Sequence, residues 1–297
     1  MNRRQFLRVS AIGVALPALG SCASDGDPPK VAKEDQPGEA SLQDIAPDAA
    51  KGLQLLDAQP ELVVGTSRYS FGLLDPDGKP LTDADVTLYA GPDPAGRPQS
   101  TVPATWLQGG VAEKAIYVAQ VPFTKAGPYF LAAVAKTKEG ASIKGGVQVQ
   151  VAATSASPIP GQKAISVPTP IASRLDGADP LCSRKPVCSM HAISLDAALG
   201  SGKPVVVTFS APAFCATETC GPVVDIVEAE SKRGDGSVTF VHVEAYRKQG
   251  SELSPALKAW KFATEPWTYV VDAQGVVAER LAGAIGAEEL TAALAKL

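Results

Sequence analysis

The 297 residues predict two folded domains of different class, an all-β sandwich followed by an α/β domain. Three observations point there. Residues 53–152 carry short apolar runs punctuated by turn sequences, with no long helical period. Residues 179–297 alternate continuous apolar runs with stretches of helical spacing. Cys182, Cys188, Cys215 and Cys220 all fall in that second segment and concentrate the reactive chemistry there.

In the first domain Leu62 to Val64, Arg68 to Leu74 and Val86 to Ala90 read as strands, as do Ile116 to Phe123, Pro128 to Ala135 and Val147 to Val151. Asp75-Pro76-Asp77-Gly78 is a tight-turn sequence, and Gly91-Pro92-Asp93 ends another run. This pace suggests a small antiparallel sandwich, immunoglobulin-like in the loose sense. The segment Gly78 to Leu88 resembles a phrase of bacterial extracytoplasmic sandwiches, including CopC-like copper carriers. Residues 53–152 nevertheless contain no His, Cys or Met, and a copper site needs such donors. The expected role is a spacer or a protein-binding module. Residues 153–178, which include Pro158, Pro160, Pro168 and Pro170, are expected to be a proline-rich linker.

In the second domain Pro204 to Phe209 is a continuous apolar strand, and Val223 to Lys232 has helical spacing. Val238 to Val243 is a second buried strand. Leu253 to Trp260 is a short helix with Ser254 and Pro255 at its start. Trp267 to Asp272 and Val276 to Leu281 form a hairpin, and Glu288 to Leu297 closes the chain as an amphipathic helix. Cys215-x4-Cys220 falls between the first strand and its helix, and Glu265-Pro266 directly precedes the hairpin. A helix N-terminus carries partial positive charge, which stabilises a thiolate there.

This order, with its cysteines and proline, resembles the thioredoxin-like family from about Ser194 to Leu297. The resemblance implies thiol–disulfide chemistry, with Pro266 cis and packed against the active thiols. The spacing departs from the family's Cys-x-x-Cys and leaves two registers open. Either Cys215 attacks, or Cys220-Gly221-Pro222-Val223 overlays the motif and Cys220 attacks while Cys215 resolves. The second is favoured, because Gly221-Pro222 suits a first helical turn. Glu218, between the cysteines, opposes thiolate formation by like charge. The competing reading is a static staple in a redox-inactive fold. A peroxiredoxin motif does not fit, since Ala216 and Thr219 stand where it requires other residues. A Sco-type copper site has one residue fewer between its cysteines.

Cys182-x5-Cys188 encloses Pro186 and is expected to form a structural disulfide; the alternative is a relay to Cys220 with His191 as proton shuttle. His242 sits in an apolar run and reads as a core histidine. No metal site and no cofactor are expected.

At the N-terminus, Asn2-Arg3-Arg4-Gln5-Phe6-Leu7-Arg8 resembles a twin-arginine export signal, and Val9 to Leu19 suits a signal-peptide core. Leu19-Gly20-Ser21-Cys22 resembles a bacterial lipobox. Residues 1–21 are therefore expected to be a signal peptide and Cys22 the lipidated first residue, with 22–52 a disordered tether. The chain carries 27 basic and 31 acidic residues with no basic run, which argues against a nucleic-acid partner. The expected function is a membrane-anchored extracytoplasmic thiol–disulfide oxidoreductase acting on exported proteins. The alternative is a non-catalytic binding lipoprotein of the cell envelope, linked to copper handling.

Overall fold

The structure, a computed structural model, describes residues 40–46, 52–108, 114–215 and 218–297. The expected signal 1–21, the expected lipidation site Cys22 and Ala216 lie outside the described residues.

The first half is all β. Its strands are β1 (Gln54–Asp57), β2 (Leu62–Val63), β3 (Gly65–Leu74), β4 (Asp85–Gly91), β5 (Ser100–Trp106), β6 (Ile116–Phe123), β7 (Gly127–Lys136) and β8 (Ser142–Ala152). They join in one curled sheet of order β1-β3-β6-β5-β4-β7-β8-β2, antiparallel except for β2 on β8. Alternating side chains fill a single core that includes Tyr69, Phe71, Leu88, Tyr117 and Leu131. Tyr117 is fully buried, donates to Leu81 O at 3.0 Å and accepts from Ala84 N at 2.9 Å, so its hydroxyl is satisfied.

Residues 40–46, inside the expected tether, are folded. The short helix α1 (Leu42–Ile45) is capped reciprocally by Ser41 and Asp44. Leu42 and Ile45 pack on Ala132, which explains why these residues do not stay solvated.

The second half has the elements α2 (Leu195–Leu199), β9 (Val205–Ser210), α3 (Cys220–Arg233), β10 (Thr239–Glu244), β11 (Tyr246–Arg247), β12 (Glu252–Leu253), α4 (Pro255–Trp260), β13 (Trp267–Val271), β14 (Val277–Ala282) and α5 (Ala287–Leu294). The four longer strands form a sheet of order β10-β9-β13-β14, with β9 and β10 parallel and β13 antiparallel to both its neighbours. Ser254 caps α4 by accepting from Leu257 N at 3.3 Å, with Pro255 at its first turn. One face of the sheet packs Val207, Phe209, Val241 and Tyr269 against Trp260 and Phe262. Phe262 stacks on Trp267 with ring centroids 4.6 Å apart. Such a pair adds about 0.5–1.5 kcal/mol beyond its burial. The other face packs Val206 and Val270 under α3 and α5.

The expected linker 153–178 is not a free span. Gly161 N and Ala164 N donate to Val277 O and Gly275 O, and Val277 N donates to Gln162 O, all at 2.8–2.9 Å. The segment therefore covers β14, the outer strand of the sheet, and satisfies groups an open edge would expose.

The halves belong to one compact unit, Gln36–Leu297. Arg68 on β3 makes a bidentate pair with Glu289 on α5, at 2.8 and 2.9 Å, and donates to Ala282 O and Ala284 O. Arg280 bonds Glu61 and Ser155 at 2.8 and 2.7 Å. Gly283, at φ +76°, lies against Ala58 O, where a Cβ would stand 2.2 Å away. Among the described residues, no helix is long and apolar enough to cross a membrane.

Candidate functional site

Strand alternation places Phe209, Val241 and Val243 on one face of the sheet. It places Thr208, Ser210, His242 and Glu244 on the other. The register pairs His242 with Thr208 and Glu244 with Ser210, so these polar groups gather at the carboxyl ends of the parallel strands. All four are buried. In open α/β sheets this end is where chemistry collects. Two groups of ligating side chains stand there.

The first is Cys215, Cys220 and Glu265, whose sulfur and carboxylate atoms lie within 4.8 Å of one another. Cys215 sits in the turn after β9, and Cys220 opens α3. Ser210 Oγ donates to Cys220 O at 3.1 Å and ties the helix start to the strand end. Glu265 is held by the loop before β13, where Glu265–Pro266 is cis. Its Oε2 accepts from Tyr246 Oη at 2.8 Å. Burial raises the Glu265 pKa, as does the neighbouring Cys215, while the Tyr246 bond works against them. Cys220 is fully covered, and Cys215 is half-buried.

That burial bears on the favoured register, in which Cys220 attacks. Cys220 does lie at the helix start, but it faces inward beneath the sheet. Burial first, and Cys215 second, push its thiol far above the ordinary range. Helix-start position alone does not determine a side chain's exposure. Glu218 is solvent-facing and bonded to Lys114 Nζ at 2.8 Å, so its charge is partly met from the sandwich half.

The second group is Cys182, Cys188, His191 and His242, all buried, with their ligating atoms within 4.8 Å of one another. The expected Cys182–Cys188 disulfide is not formed. The sulfurs stand 3.9 Å apart, well beyond the ~2.05 Å of a disulfide. Both face His242 Nδ1, at 3.6 and 3.3 Å, and His242 Nδ1 is 3.2 Å from His191 Nε2. The Cys188 contact, with the two imidazoles, pulls the Cys182 pKa down. The loop is pinned beside each cysteine. Ser183 N and Oγ donate to Glu244, and Ser189 N and Oγ donate to Glu228, at 2.7–3.1 Å. Ser183 Oγ also accepts from Ala213 N at 3.1 Å, joining this loop to the turn that leads to Cys215.

The sequence reading treated Cys182 and Cys188 as a pair and His242 as a core residue, and did not bring the four side chains together. The signal of this group was Cys182-x5-Cys188-x2-His191 followed by His242, which uses both histidines of the chain. The spacing alone did not show that the end of β10 meets the 182–191 loop.

No family model matches the chain, and no curated protein matches it. Among solved structures it is similar to CopC from Methylosinus trichosporium OB3b, at 10% identity and TM-score 0.24, over 34% of this chain and 94% of that one. It is also similar to a ZirS C-terminal domain, at 10% identity and TM-score 0.20, over 47% of this chain and 95% of that one.

Proposed function

We propose that the second half is a thioredoxin-like module exchanging thiols and disulfides, with Cys215 as attacking and Cys220 as resolving thiol. The observation that carries this reading is the meeting of Cys215, Cys220 and Glu265, in the loop of Pro266, beyond the end of β9. The half-buried sulfur is the one a protein substrate can reach.

Cys215 thiolate attacks one sulfur of a substrate disulfide. A mixed disulfide forms, and the other substrate sulfur leaves as thiolate and takes a proton. Cys220 then attacks the Cys215 sulfur, forming Cys215–Cys220 and releasing the second substrate thiol. Glu265, beside both sulfurs with its proton affinity raised, receives the Cys220 proton. The substrate gains two electrons and two protons that the cysteine pair loses, and a dithiol partner restores the pair. The same steps run backwards oxidise a substrate dithiol.

The export-like N-terminus and Cys22 support a location outside the cytoplasmic membrane, on a lipid tether, with exported proteins as the proposed substrates. The sandwich half, immunoglobulin-like or CopC-like in its expected arrangement, serves as a spacer or docking module. The second reading, a non-catalytic envelope protein linked to copper handling, draws on the same soft donors. Redox titration of the Cys215–Cys220 pair, with alkylation and peptide mapping, separates the two. A potential near about −120 to −270 mV fits exchange; one below about −300 mV fits a staple and contradicts it.

A further inference from the structure

We infer that Cys182, Cys188, His191 and His242 form a closed tetrahedral site for a zinc-like divalent cation. This inference stands independently of the exchange reading.

The spacing of the four atoms is the first argument. Zinc bonds of about 2.3 Å to sulfur and about 2.05 Å to nitrogen give tetrahedral edges of about 3.8 Å for S–S, 3.6 Å for S–N and 3.3 Å for N–N. Four of the six edges are 3.9 Å for the sulfurs, 3.6 and 3.3 Å from sulfur to His242 Nδ1, and 3.2 Å between the imidazole nitrogens, and all six lie within 4.8 Å. Four side chains from a loop and a strand, fifty residues apart in places, converge on the shape one ion requires.

Protonation is the second. His242 Nε2 lies 3.3 Å from Ser210 O, which accepts its proton and leaves the Nδ1 lone pair aimed at the other three atoms. His191 Nδ1 is buried with no hydrogen-bond partner among the described residues. Without an ion, the facing His191 Nε2 and His242 Nδ1 must share one proton. An ion uses both inward lone pairs and removes the need for that shared proton; the proton then on His191 Nδ1 has no acceptor among the described residues, which is a cost the ion's bonds must exceed.

Charge selects the ion. Two thiolates, two neutral imidazoles and a dication sum to zero, which a buried site tolerates. Cu(I) would leave one uncompensated negative charge in this buried site, beside Glu228 and Glu244, whose oxygens accept from Ser189 and Ser183 next to the two cysteines. Burial of all four ligands leaves no open position, so the site braces the fold rather than activating water. A cavity of about 510 Å³ lies beside the two imidazoles and is lined by His191, His242, Arg174 and Arg247.

The test uses the full chain, reduced, loaded with Zn(II) and freed of excess metal. One zinc per chain is expected. Co(II) in its place should give the absorption of a tetrahedral centre with thiolate ligands. Zinc should protect Cys182 and Cys188, and not Cys215, from alkylation mapped by mass. Cys215→Ser with Cys220→Ser should keep the full zinc content, and Cys188→Ser should lower affinity by more than about a hundredfold. The alkylation map decides the matter even if Cys188→Ser fails to fold. The inference is overturned by sub-stoichiometric zinc, by zinc that follows Cys215 or Cys220, or by a Cys182–Cys188 disulfide in protein isolated without reductant. Retention of Cu(I) with exclusion of Zn(II) overturns the choice of ion.

Discussion

Tyr246 Oη donates to Glu265 Oε2 at 2.8 Å, so the short strand β11 holds the carboxyl that stands beside Cys215 and Cys220. The bond orients a carboxyl whose pKa burial raises and this hydrogen bond lowers. It connects the loop of Pro266 to the segment that follows β10.

The first prediction concerns this carboxyl. Burial, with Cys215, raises its folded pKa above the ordinary 4.5. A group whose folded pKa is raised contributes stability that is fully present below the unfolded pKa and is lost as pH rises through the folded one. Glu265→Gln should therefore flatten the stability profile above about pH 4.5. It should also speed alkylation of Cys215 at a fixed pH below the thiol range, since a neighbouring negative charge disfavours thiolate. Chemical denaturation across pH and timed alkylation measure the two effects. An unchanged alkylation rate would show that Glu265 does not act on Cys215.

The joint between the halves gives the second. The Arg68 side chain is 8% exposed and that of Glu289 22%. Removing one partner of a fully buried pair costs about 3–5 kcal/mol, so Arg68→Ala, with its partner partly wetted, should cost about 2–3 kcal/mol. Two carbonyls, Ala282 O and Ala284 O, lose their donor at the same time. Urea midpoints provide the measurement. A change below about 0.5 kcal/mol would mean the pair behaves as a surface ion pair.

The membrane tether gives the third. Cys22→Ala should leave protein in the soluble fraction or unprocessed, read by fractionation and intact mass. A variant that remains anchored as before contradicts lipidation at Cys22. Arg3→Lys with Arg4→Lys should block export if the twin-arginine route is used.

Much of the second half was legible because its strands are buried on both faces and so read as unbroken apolar runs. Val205–Ser210 and Thr239–Glu244 fall within one residue of the runs that announced them. Ser254-Pro255 marked the start of α4 for the same local reason, a cap and a missing donor. Strand β5 was not legible: its burial alternates at every residue, and Pro103 interrupts it. Strand β1 has only one buried residue, Leu55. The site was legible in its residue types and not in its exposures. Cys220 is buried by the sheet above it, a tertiary fact absent from the motif. Cys182 and Cys188 looked like a local disulfide because the partner that separates them, His242, comes from a strand fifty residues on.

The most direct test of the central claim is capture of a mixed disulfide. Cys220→Ser should trap an oxidised protein substrate on Cys215, seen as a reductant-sensitive adduct and located by peptide mapping. Cys215→Ser should trap none, because the remaining thiol is fully covered. A reducible adduct on Cys215 in the first variant and none in the second is the predicted result. Adducts on Cys220 alone, or none in either variant with a disulfide substrate in excess, would contradict exchange through Cys215.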